Sequence, residues 1–137
     1  MSDTKKRQTY IKKIGNRGEA AALSYLQKKG YEPVERNYHS IYGEIDLIVK
    51  NSEYIVFAEV KTRNCSAIAA PAAFVTKSKQ KKLLRTAALY LEEHPIDLQP
   101  SFDVVEVTYD KVTQEIIDIC HIPNAFAAAD GTYDIDF

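Results

Sequence analysis

Two consecutive β-patterned segments, Ile45–Lys50 and Tyr54–Arg63, constrain this chain more than any other feature. In the first, Ile45, Leu47 and Val49 alternate with Glu44, Asp46 and Ile48. The second is rich in β-branched and aromatic residues, and Asn51-Ser52 between them suits a turn, so the pair predicts an antiparallel hairpin. The second strand opens on the apolar run Tyr54-Ile55-Val56-Phe57-Ala58 and then carries Glu59 and Lys61, residues that are costly to bury without partners. Side chains alternate along a strand, so Glu59 and Lys61 share one side and Val60 takes the other. A register that packs Ile45 and Leu47 against Ala58 and Val60 brings Asp46 onto the Glu59 face.

The rest of the chain supplies elements to surround this hairpin. A helix is expected over Ile14–Lys29, starting as early as Tyr10–Lys13, with Ala22, Leu23 and Leu26 on one face and Gly30 as its stop. Glu32–Tyr38 suits a short strand. Asn64–Phe74 reads as an alanine-rich loop. A second helix is expected over Ser78–Glu93, capped by Thr76 or Ser78, with Leu83, Leu84, Ala87, Ala88 and Leu91 buried. Phe102–Val107 and Glu115–Ile122 follow as strands across a turn at Asp110-Lys111. At 137 residues the chain fits one domain, with about 1–9 and 128–137 expected to be poorly ordered.

Composition excludes several classes. Cys65 and Cys120 form no CxxC pair, against a zinc ribbon or a secreted disulfide framework. His39, His94 and His121 have no ligand spacing. The basic N-terminus has no apolar signal core and no stretch is long enough to span a bilayer, so a cytoplasmic protein is expected. Net charge is only −1, but Lys5, Lys6, Arg7, Lys12, Lys13 and Arg17 crowd one segment, and Lys77, Lys79, Lys81, Lys82 and Arg85 another. Such runs are either solvated helix faces or phosphate-binding surfaces.

Asp46, Glu59 and Lys61 together have a chemical use. Two carboxylates suit Mg²⁺ or Mn²⁺, which keep several waters, and a neighbouring lysine can orient an attacking water and offset charge on a phosphoryl group. The competing account is a cross-strand ion pair on a sheet surface. Glu19, on the helical face of Ala22, Leu23 and Leu26, is a third candidate acid, unless Asn16 caps the helix and Glu19 closes a capping box. Lys77, Lys79, Lys81 and Lys82, at the start of the helix after the Glu59 strand, are expected to contact DNA, as is Arg63. Tyr38 and Tyr42 could stack on an unpaired base.

Asp46 followed by Glu59-Val60-Lys61 resembles the D…ExK signature of the PD-(D/E)xK nucleases, without the proline before the aspartate. With Gly15-Asn16-Arg17-Gly18-Glu19-Ala20-Ala21, Gly30-Tyr31, Arg36-Asn37-Tyr38, Gly43-Glu44-Ile45-Asp46-Leu47-Ile48, Phe57-Ala58-Glu59-Val60-Lys61-Thr62-Arg63 and His121-Ile122-Pro123-Asn124-Ala125-Phe126, the chain resembles the YraN-like family. That family is described as predicted endonucleases similar to archaeal Holliday-junction resolvases. The resemblance implies a restriction-endonuclease-like α/β fold, a central mixed five-stranded sheet flanked by helices. It implies metal ligation by Asp46 and Glu59, a catalytic Lys61 and a helix-1 glutamate at Glu19. Glu44 would pair with Arg36 or Arg63. The function implied is endonucleolytic cleavage of branched or structured DNA in repair or recombination, which suggests a homodimer because a junction needs two cuts. A non-catalytic nucleic-acid-binding module, or a subunit serving a protein partner in DNA processing, is the alternative. The loop Ser66-Ala67-Ile68-Ala69-Ala70-Pro71 departs from the family pattern, which bears on substrate contacts there.

Overall fold

The computed structural model describes residues 3–65 and 75–126, so most of the alanine-rich loop and the acidic C-terminal end lie outside the described residues. The elements run α1 (Asp3–Lys28), β1 (Glu32–His39), β2 (Glu44–Lys50), β3 (Tyr54–Asn64), α2 (Lys77–Glu93), β4 (Gln99–Tyr109) and β5 (Ile116–Phe126).

Helix α1 begins a full three turns before Ile14 and takes in residues 3–9, which were expected to lie in a poorly ordered end. Its first turns are built from lysine, arginine and glutamine, good helix formers, and Asp3 sits favourably at the positive end of the helix dipole. Asn16 is therefore in mid-helix, where it has no cap to make, and the capping-box account of Glu19 falls.

The strands form one sheet in the order β1-β2-β3-β4-β5. Only β3 and β4 pair in parallel; the other neighbours are antiparallel. A parallel pair cannot be closed by a tight turn, and α2 with its flanking segments makes the crossover. On one side of the sheet Leu83, Leu84, Ala87 and Tyr90 of α2 pack with Ile48, Ile55, Phe57, Phe102 and Val104. On the other, Ala22 and Leu26 of α1 pack with Leu47, Val49, Val56, Ala58, Val105 and Val107. Both faces of the sheet are thus covered, which is why its central strands are almost wholly apolar at their cores.

Two close approaches fix the helices on this sheet. Gly18 lies against Thr62 of β3, where any Cβ would collide with the threonine hydroxyl. Helix α2 is capped by Thr76, whose hydroxyl accepts from the Lys79 amide at 3.1 Å. Thr86 and Tyr90 are buried on its inner side, whereas Ala88 and Leu91 are only partly so. Thr86 is tolerated because its hydroxyl donates to the Lys82 carbonyl at 2.8 Å and lies 3.0 Å from Ser40 Oγ. That contact holds the β1–β2 turn against α2. No described helix is long and apolar enough to cross a membrane.

Candidate active site

The β2–β3 ladder begins at Leu47↔Ala58; continued by one step, that register sets Asp46 opposite Glu59. Here the strands part. Asp46 Oδ2 accepts from the Val60 amide at 2.8 Å, so a carboxylate stands in for the missing strand partner. The expected register had Ile45 and Leu47 on one face. Instead Ile45 joins the α2-side cluster while Leu47 joins the α1 side. Strict alternation thus breaks at Asp46, and the residue reaches Glu59 through that local break.

Glu59 and Asp46 are each mostly buried and each unfavourable to ionise. Burial, and next the Asp46 charge, push the Glu59 carboxyl up to about 7, against the opposing pull of Lys79 and Lys61. Burial likewise raises Asp46, against the bond from Val60, with Glu44 adding to the rise and the Lys79 charge and a hydrogen bond shared with the Glu59 carboxyl opposing it. Glu59 Oε1 lies 3.7 Å from Lys79 Nζ. Its other oxygen, Oε2, is buried with no hydrogen-bond partner among the described residues. A buried carboxylate oxygen left in that state is costly.

Glu19 approaches from α1. Burial, followed by the Asp46 charge, raises its carboxyl, which places it within electrostatic reach of the same centre. Arg36 lies 3.9 Å from Glu19 Oε2. Asn37, with its amide nitrogen turned to the carboxylates, donates to Glu19 at 3.2 Å and to Glu44 at 2.9 Å. Glu44 also lies 3.8 Å from His39, in place of the expected pairing with Arg36 or Arg63. Four carboxylates (Glu19, Glu44, Asp46 and Glu59) therefore meet three permanent cations, Arg36, Lys61 and Lys79. The centre has a deficit of positive charge.

The remaining expected residues divide. Lys61 is half-buried and acts on Glu59 through its charge, as their shared strand side requires. Lys79, expected only to contact DNA, reaches Glu59 itself. Lys77, Lys81 and Lys82 are exposed on the first turns of α2. Arg63 is held at 2.8 Å by the buried Glu106 of β4, so part of its charge is already engaged. Tyr38 packs edge-on against Tyr90 and bonds Glu93 at 3.3 Å, in the core rim and not in the site. The Tyr42 ring lies beneath the Arg85 guanidinium, 5.8 Å from its centroid.

Asn37 and the Lys79 contact were missed from the sequence. Both leave a physical trace. Asn37 adopts φ 51°, a left-handed conformation that asparagine tolerates better than most residues. Lys79 is in the first turn of α2, where a cation opposes the helix dipole and acidic residues are absent, so its placement answers a need other than helix stability.

Two neighbouring carboxylates are a donor set suited to a hard divalent cation. Among the described residues no three acidic, histidine or cysteine side chains converge into a ready cage. Mg²⁺ is usually held by only one or two carboxylates and completes its shell with water and substrate phosphate. Asp46 and Glu59, with one carboxylate oxygen unsatisfied and both charges disfavoured, fit that requirement.

A mixed sheet of this order, covered by a helix on each face and carrying acids where β2 and β3 diverge, is a restriction-endonuclease-like α/β fold. Within that class the chain belongs to Uncharacterised protein family UPF0102, whose profile matches residues 18–107. It is 40% identical over 116 residues to a UPF0102 protein of Caldicellulosiruptor saccharolyticus, covering 84% of this chain and 98% of that one. A UPF0102 protein of Syntrophomonas wolfei is 41% identical with the same coverage, and one of Geobacter metallireducens is 36% identical over 86% of this chain and 95% of its own. This is the YraN family of predicted endonucleases that the motifs resemble.

Proposed function

We propose that the protein is a Mg²⁺- or Mn²⁺-dependent endonuclease that cleaves branched or otherwise structured DNA. The observation that carries this reading is the unsatisfied, buried Oε2 of Glu59 beside Asp46, with Lys79 at 3.7 Å from its other oxygen and the Lys61 charge acting on the same carboxyl. Asp46 and Glu59 would hold the metal, which when bound supplies Lewis-acid polarisation of a phosphoryl oxygen. Lys61 provides a preorganised cation for charge that develops on the phosphate as the bond to the attacking water forms. Lys79 neutralises Glu59 and leaves it free to accept at its other oxygen. Glu19, oriented by Arg36 and Asn37, is placed to position a water at the rim of the centre. Lys77, Lys81 and Lys82 present positive charge beside the site for the DNA backbone. A twofold dimer would bring two such sites to one junction.

The test is calorimetric titration of Mn²⁺ into the parent protein and Asp46→Asn, paired with cleavage assays on junction, duplex and single-stranded DNA. Metal binding lost in the variant and cleavage by the parent support the reading. Metal binding unchanged in Asp46→Asn removes the site assignment. Intact DNA binding with no cleavage of any substrate moves the protein to the non-catalytic module.

A further inference from the structure

The outer face of α1 offers a second surface that the site does not use. Gly18 crosses β3 at Thr62, and Ala22 and Leu26 pack with Ala58 and Val56. The helix therefore runs antiparallel to β3, and only its first turns pass beyond the end of the sheet on the Asp46 and Glu59 side. Tyr10 shares a hydrogen bond with Tyr109, which is level with Asn64 at the last step of the β3–β4 ladder. Residues 3–9 continue beyond that point for about 10 Å at 1.5 Å per residue, and all seven are exposed.

The inner face of α1 is marked by Ile14, Gly18, Ala22 and Leu26, one residue per turn. Opposite it, Lys6, Lys12, Lys13 and Arg17 fall within one stripe, and Thr9, Asn16 and Ala20 lie between them. The only acids of α1, Asp3 and Glu19, lie outside the stripe. Lys12, Asn16 and Glu19 have the spacing i, i+4, i+7, so the stripe borders the helical row that ends at the catalytic centre.

A lysine run on a helix is ordinarily a solvated face. Two features set this one apart. It is free of acids in a chain whose net charge is −1; and its edge row, Lys12 and Asn16, leads along the helix to Glu19 at the site. We infer that the outer stripe of α1 is a phosphate-tracking arm that binds the backbone of the DNA duplex leading into the active site. This rests on DNA being the substrate. The arm and the first turns of α2 then grip the duplex from two sides of the scissile phosphate, with Lys12, Lys13 and Arg17 contributing affinity and no chemistry.

The experiment is anisotropy of a short fluorescein-labelled DNA duplex, in EDTA, across roughly 50–200 mM KCl. The parent is compared with K12Q/K13Q/R17Q and with K28Q/K50Q, which removes charge at the opposite end of the sheet. Circular dichroism melts confirm that each variant folds. The arm variant is expected to lose about 2–3 from the slope of log K against log salt, near 0.9 per phosphate contact, while K28Q/K50Q keeps the parent slope. An arm variant with the parent slope overturns the proposal, as does an equal loss per charge in K28Q/K50Q. Because metal is absent, the result is read independently of cleavage: a parent that binds duplex through the arm but cuts nothing refutes the endonuclease reading alone.

Discussion

Glu59→Gln isolates what the site costs the fold. In the metal-free folded protein the Glu59 carboxyl is pushed up to about 7, from an ordinary value of 4.5, first by burial and then by the Asp46 charge. The sign follows from linkage. Between those two values the folded state holds a proton that the unfolded state has released, so stability falls as pH rises through this window. Below about 4.5 the penalty vanishes; above about 7 it is fully present. At about 1.4 kcal/mol per pH unit, the gap corresponds to about 3 kcal/mol. Little of this is screened by solvent, because the Glu59 side chain is only 13% exposed. Glutamine keeps the shape and cannot ionise, so it escapes this penalty, which is already net of the Lys79 attraction; its buried amide NH₂ beside Lys79 costs about 1 kcal/mol as an unsatisfied donor.

Urea or thermal unfolding in EDTA at pH 5 and pH 8 measures the effect. Near pH 5 the two proteins are expected to be close in stability. At pH 8 Glu59→Gln is expected to be more stable by about 2 kcal/mol, or roughly 5–10 °C in Tm for a domain of this size. Saturating Mg²⁺ reverses the order. At 100 times Kd the parent gains about 2.7 kcal/mol, while a variant without the second carboxylate gains little. A variant that is less stable than the parent at pH 8 without metal would refute the argument that Glu59 is a buried charge waiting for a cation.

The other expectations are independent of that measurement. Asp46→Asn should weaken Mn²⁺ binding at least tenfold by calorimetry, since a site of two carboxylates loses half its charge. Lys61→Met should fold normally and bind junction DNA nearly as well as the parent, yet cleave it about 10²–10³ times more slowly; equal single-turnover rates would remove Lys61 from the chemistry. Lys81→Gln with Lys82→Gln should lower the salt slope of DNA binding by about 2, and an unchanged slope would return the exposed face of α2 to plain solvation. Gly18→Ala should destabilise by about 1–3 kcal/mol through overpacking where α1 crosses Thr62. Thr62→Ala should recover much of that loss in denaturant melts, and a purely additive double variant would show that the collision is not the cause.

How much of this was legible in the sequence differed residue by residue. Glu59 and Lys61 stood out because charge in an apolar strand contradicts its own surroundings, and that conflict survives without any knowledge of tertiary structure. The β2–β3 hairpin was legible because its turn is local. The parallel β3–β4 pairing was not, because its partners are separated by α2 and two connections, and no short-range signal carries such a contact. Asp46 was brought to Glu59 on the assumption of unbroken alternation, whereas the strands separate there and the Asp46 carboxylate binds the freed Val60 amide. Glu19 hung on a different fact altogether, the start of α1: a glutamate three residues after Asn16 is a cap in a helix beginning at that point, and in one beginning at Asp3 it is free to face the Asp46 carboxylate. Lys79 was hidden among identical neighbours, because position along a lysine run does not reveal which side chain will meet a buried carboxylate. In each case the readable residues were those that broke a local rule, and the hidden ones obeyed every local rule and were set apart only by what the fold brought next to them.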